Sequence, residues 1–375
     1  MLKIFLILSI FAFFGCTTFN SGEPVFRVRP FWVQDTLKSA NFKFRKINRM
    51  SPVVYKNSLI VGNAFDGLVS YDLDSKNQNW RLPIELGVEA SGALVRDTLF
   101  VGSNNGKIYS VDLYDGETNW TFDTKTEVVA EPLLDEGILY FISAGQSLYA
   151  LDALTGKQFW IYSRQDTSGG MTIRGSSKPA ISNGVLYAGF SDGTLVAVNA
   201  KTGTEMWEIS LNRNTKFKDI DASPVIEDSV LFINSYDDKL YAISQASGEI
   251  LWSSPYGGST TPKIKGDVII SGSSKGKLVA LDKKSGNLVW KYETTEGVFT
   301  EPEIFNDLIS IGESQGKLLF LSLTNGSVLG SFEPGRGVFS KPTVYKNNVY
   351  FVSGEGNLYG IEAGFMSKSS IEYLK

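Results

Sequence analysis

Few side chains in this sequence are equipped for chemistry. There is one cysteine, Cys16, and no histidine. Without His there is no Ser-His-Asp or Cys-His nucleophile system, no imidazole metal ligand, and no side chain that titrates near neutrality when unperturbed. A single Cys makes no internal disulfide and no CxxC site. Carboxylate pairs such as Asp72/Asp74 and Asp237/Asp238 lack the spacing of a calcium loop and read as turn residues, and no GxxxxGK[ST] phosphate loop occurs. No catalytic residue, cofactor or metal is therefore expected. The 36 Lys+Arg against 40 Asp+Glu leave no basic surplus to neutralise a phosphate backbone, so no nucleic-acid partner is expected either. The side chains best suited to binding fall in two segments. One, Gly169-Gly-Met-Thr-Ile-Arg-Gly175, sets apolar Met171 and Ile173 beside the cation Arg174; the other, Asp219-Ile-Asp221, carries two carboxylates. Apolar anchors with an Arg and facing carboxylates compose a protein-binding hot spot with orienting charge. The plainer reading is two ordinary loops whose Arg and Asp pair only with each other.

Cys16 ends an N-terminal segment with one positive charge at Lys3 and an apolar run from Ile4 to Phe14. That run is too short to span a bilayer and has the layout of a secretory signal. With Gly15 before the Cys and Phe13 where the motif usually has Leu, it resembles a bacterial lipoprotein signal, in which the Cys becomes the first mature residue and carries lipid. A plain signal peptide, or a buried apolar segment with an incidental Cys, is the alternative. Thr17 follows the Cys in place of Asp, which by the same resemblance implies the outer membrane. The expected layout is a signal at 1–15, a lipidated tether at 16–40, one domain at 41–363 and a tail at 364–375.

The domain that must carry these residues is repetitive. Six of the seven Trp stand at 80, 120, 160, 207, 252 and 290, a period near forty residues. Dipeptides mark the same point of each unit: Ser51-Pro52, Ser91-Gly92, Glu131-Pro132, Lys178-Pro179, Ser223-Pro224, Thr261-Pro262, Glu301-Pro302 and Lys341-Pro342. Each unit then has two short apolar stretches, a turn closed by Gly, a third stretch, an Asp-x-x-x-Gly turn and the Trp strand. Four β segments per unit, eight times over and with no helical period, predict an all-β, eight-bladed β-propeller of four-stranded antiparallel blades. The repeated Trp should pack between blades, and the Asp and Gly should shape the last hairpin. Phe332 takes the Trp place in the seventh unit. The eighth unit lacks a Trp strand, and Asn41-Phe-Lys-Phe-Arg-Lys-Ile47 is expected to supply it and close the ring.

Departures from the unit point to the binding face. From the Trp to the next dipeptide there are 10 residues after Trp80, Trp120 and Trp290, but 17 after Trp160 and 15 after Trp207. Two consecutive blades thus carry long loops at the same structural position, and these loops hold the two segments singled out above.

Signal, eight blades and loops together resemble the BamB family, the propeller lipoproteins of the bacterial outer-membrane β-barrel assembly (BAM) complex. The specific likeness lies in Met171-Thr-Ile-Arg-Gly-Ser-Ser-Lys-Pro179 and Asp219-Ile-Asp-Ala-Ser-Pro224. The resemblance implies a non-catalytic scaffold, anchored at Cys16 to the outer membrane and facing the periplasm. It also implies that a POTRA domain of BamA binds Met171, Ile173 and Arg174 as anchors, with Asp219 and Asp221 as supporting carboxylates. Other BAM subunits, through BamA, and unfolded outer-membrane proteins are further candidate partners. Quinoprotein dehydrogenases share the repeat and hold a quinone beside Ca²⁺ in the central funnel, which makes an enzyme the competing reading. A third is a lipoprotein propeller for another partner or for polysaccharide, although abundant Tyr and Phe follow from a β-rich fold alone.

Overall fold

The computed structural model describes residues 24–37, 47–164, 177–211 and 219–366. They form eight four-stranded antiparallel sheets, each made of sequence-consecutive strands except the last. This is the eight-bladed propeller expected. In the first blade the strands are Val53–Tyr55, Ser58–Asn63, Gly67–Asp72 and Gln78–Pro83, from the axis outward. The dipeptides stand immediately before the three-residue inner strands, as Glu131-Pro132 does before Leu133–Asp135. Each middle strand has a blade on both sides, so Ile138–Ser143 is buried almost throughout, whereas the outer strand Gln158–Ser163 alternates.

The repeated Trp, Asp and Gly form one device. The indole N–H of Trp80, Trp120, Trp160, Trp207 and Trp290 donates to a backbone carbonyl of the following blade at 3.0–3.3 Å. The ring face lies against that blade's turn glycine: a Cβ on Gly116, Gly156, Gly203, Gly248 or Gly326 would stand 2.5–2.9 Å from it. Those glycines hold φ of +71° to +79°, which a side chain would strain as well. The Asp closes the same turn. Asp152 Oδ1 accepts from the Thr155 backbone at 2.7 Å, and Asp282 Oδ1 from Ser285 at 2.8 Å. The Thr155 and Ser285 hydroxyls, which donate to the same oxygens, and then these backbone bonds hold both carboxyls below the usual range.

Ring closure differs from expectation. The strand that completes the eighth blade is Val25–Asp35, paired antiparallel with Asn357–Met366 from Val25↔Met366 to Asp35↔Asn357. Of the stretch 41–47 only Ile47 lies among the described residues, and it is in no strand. The ring therefore takes in residues 25–35 of the expected tether and extends to Met366, past the expected end at Ala363. The seventh Trp explains the difference. Trp32 lies opposite Gly360 after a bulge between Pro30 and Trp32, as Trp160 lies opposite Ala150 after a bulge in its own blade. Pro30 is tolerated because this is an edge strand. Counting back from Ser51-Pro52 by the common interval misses Trp32, because the connection after it is the longest of all, 18 residues.

The seventh blade is also corrected. Gly330, not Phe332, occupies the Trp position, opposite Phe320 where other blades have Ser, Ala or Gly. The eighth blade's outer strand comes from the N-terminus, so it has no Asp-x-x-x-Gly turn to receive an indole. Phe26 and Val28 fill the space instead, and a Cβ on Gly330 would stand 2.7 Å from Val28 Cγ2.

Candidate functional site

The inner-strand dipeptides surround a central channel of about 820 Å³ lined by, among others, Glu131, Lys178, Lys263, Glu301 and Lys341. Backbone N–H groups reach around the ring to the next blade's hydroxyl: Ser51 to Ser91, Lys178 to Ser223 and Ser223 to Thr261, at 3.1–3.2 Å. The charges pair between neighbouring blades in both directions. Lys178 meets Glu131 at 2.5 Å, Lys263 meets Glu301 at 3.0 Å, and Lys341 meets Glu301 at 3.7 Å. Burial pulls the Lys341 ammonium down, but Glu301, Glu303 and Glu131 outweigh it, so its pKa is raised and it stays charged.

The long connections leave the outer strands at one end of the ring. Met171, Ile173 and Arg174 lie outside the described residues, in 165–176, but both ends of their loop are placed. At its start Arg164, largely buried, donates Nε to Asp192 at 3.0 Å and Nη1 to Glu208 at 2.6 Å, over the ring of Phe190. The second loop leaves at Leu211, whose N–H donates to Gly193 O at 2.9 Å, and returns at Ile220, whose N–H donates to Phe190 O at 3.2 Å. Both loops are thus tied to one turn, residues 190–194 of the fourth blade. This common footing places their bases side by side.

The Asp-Ile-Asp segment lies in no strand, with Asp219 and Ile220 buried. Ile220 is the wedge, fully buried against Gly189, where a Cβ would meet it at 2.4 Å. Asp219 is completely buried, and its carbonyl accepts from the Tyr236 backbone at 3.3 Å. Asp221 is half-buried on the channel wall. Burial first, and then the Asp219 carboxylate, push the Asp221 pKa up to about 7, while Arg49 pulls it down. Arg49 belongs to the third long connection, after Trp32, and lines the same channel with Tyr236. Arg49, Arg164 and Tyr236 escaped the sequence reading. Measuring the interval from Trp32 would have found the loop that carries Arg49; nothing in the repeat distinguishes Arg164, whose partners are set by blade packing.

Among the described residues no cluster of three His, Cys, Asp or Glu could hold a metal, and no helix is long and apolar enough to cross a membrane. The family model described as "Outer membrane protein assembly factor BamB" matches residues 32–122, 65–292 and 221–367. No curated protein matches the sequence. Among solved structures the chain is similar to BamB from Moraxella catarrhalis, at 19% identity and a TM-score of 0.76 over 90% of this chain and 100% of that one. It is also similar to a europium-containing methanol dehydrogenase, at 14% identity and 0.76 over 90% and 93%. A third is the computationally designed Ika8 protein, at 15% identity and 0.71 over 84% and 96%. At these identities the likeness is one of fold.

Proposed function

As the chain belongs to the family of the outer membrane protein assembly factor BamB, we propose that it is a non-catalytic scaffold of the outer-membrane β-barrel assembly complex. In this reading Cys16 carries lipid and holds the propeller at the periplasmic face of the outer membrane. A POTRA domain of BamA docks on the face bearing residues 161–177 and 208–222, and the protein assists folding and insertion of barrel proteins. The observation that supports the reading is the footing of the bases of both long loops on one turn, Phe190 to Thr194. Met171 and Ile173 supply apolar anchors and Arg174 a cation; Asp219 and Asp221 hold the arginine's charge in place. Arg174→Glu should abolish capture of the POTRA region of BamA with the fold intact by circular dichroism. Undiminished capture would overturn the site.

The likeness to a methanol dehydrogenase favours a second reading, a quinone-dependent dehydrogenase. Among the carboxylates lining the channel, Glu131 and Glu301 are each engaged by a lysine, which disfavours them as ligands of a calcium ion. Dye-linked alcohol oxidation after incubation with quinone and Ca²⁺ would establish it.

A further inference from the structure

Because the ring begins at Val25, only eight residues, 17–24, separate it from Cys16. Nine Cα steps reach at most about 30 Å. The end of the ring from which the chain leaves for Cys16 also follows from the topology. An outer strand delivers its long connection from its C-terminal end, so Asp35 lies on the face of the long loops and Val25 on the opposite one. There the strand and its partner run on beyond the rest of the blade. The neighbouring strand stops pairing at Asn348↔Glu362, while Val25 to Val28 continue against Met366 to Ala363.

This projecting ribbon is amphipathic. Phe26 and Phe365 share one face with ring centroids 5.2 Å apart, and Phe365 is 58% exposed. Phe365 borders a groove of about 650 Å³ lined by Phe305, Leu308 and Leu329 together with polar side chains such as Asn306 and Ser327. The other face carries exposed Val25 and Arg27, and exposed Lys346 lies on the adjoining hairpin turn. Arg29 is engaged with Glu362. Exposed aromatic and aliphatic side chains beside exposed cations suit the interface of a phospholipid leaflet.

We propose that this ribbon is a membrane-contact surface that seats the propeller on the phospholipid leaflet holding Cys16, so that the long loops point away from the bilayer. The inference rests on lipidation of Cys16. A short tether makes the contact intramolecular, so a weak intrinsic affinity suffices.

The test is hydrogen–deuterium exchange of the acylated mature protein in vesicles of phosphatidylethanolamine and phosphatidylglycerol, compared with detergent micelles. Vesicles should slow exchange at 25–29 and 363–366 about tenfold and leave 219–222 unchanged. Arg27→Glu combined with Phe365→Ser, both exposed positions, should remove the slowing while the protein stays attached. Equal exchange in vesicles and micelles, with the acyl mass present on Cys16, would overturn the contact surface alone. An unmodified Cys16 by mass spectrometry would overturn the anchor and the proposal with it. Slowing at 219–222 would place the wrong face on the bilayer.

Discussion

Replacing Asp221 by Asn tests whether the carboxylate is kept for binding against the interest of stability. In the folded protein its pKa rises from 3.8 to about 7, first because burial penalises the charged form and then because Asp219 repels it. At about 1.36 kcal/mol per pH unit, that difference amounts to about 4 kcal/mol in the fully buried limit. Asp221 is half-buried on a solvent-filled channel, so screening reduces the expected effect to about 2 kcal/mol. The sign follows from linkage. A carboxyl with a raised folded pKa contributes stability that is complete below 3.8 and is lost as pH climbs through 7. Above pH 7 the folded protein bears the whole penalty, and Asp221→Asn, uncharged throughout, should be more stable by about 2 kcal/mol at pH 8. The advantage should shrink toward zero near pH 4. Urea midpoints at pH 4.5, 6 and 8 measure it. POTRA capture should move the opposite way, weakened in the variant at pH 8 despite its greater stability, and declining in the parent as pH falls from 8 to 6. A variant of equal or lower stability at pH 8 would refute the electrostatic reasoning. Unchanged capture at pH 8 would reduce Asp221 to part of the wall.

Three further outcomes are expected. Arg164→Met leaves Asp192 without its partner at a largely buried site; urea denaturation should show a loss of about 2 kcal/mol, with POTRA affinity reduced because the loop base is released. Gly203→Ala drives a Cβ to 2.7 Å from the Trp160 ring at φ +71°, and should cost about 3 kcal/mol by the same measurement, with binding residues untouched. Trp32→Ala empties the contact with Tyr71 of the first blade and Tyr350 of the closing blade, and should lower stability by about 4 kcal/mol and expose residues 25–35 to limited proteolysis.

The blades were legible because each repeats the same local constraints. Alternating apolar stretches and positive-φ turn glycines, with an indole in seven of the eight blades, act over a few residues and recur around the ring, so one misread unit is corrected by its neighbours. Closure was not legible in the same way. The strand that completes the last blade is separated from its partner by more than three hundred residues, and the choice between 25–35 and 41–47 depended on which segment could put Trp32 opposite Gly360 and Phe26 against Gly330. Chain spacing says nothing about which distant strand fills an open edge; packing does. The candidate site divides along the same line. Loop lengths, Met171, Ile173, Arg174 and the two aspartates were visible as departures from a repeat. That Ile220 is a wedge, that Asp219 is sealed and Asp221 opens on the channel, and that Arg49 arrives from the far end of the chain were decided by the ring, because only closure brings the first and fifth blades to face one channel.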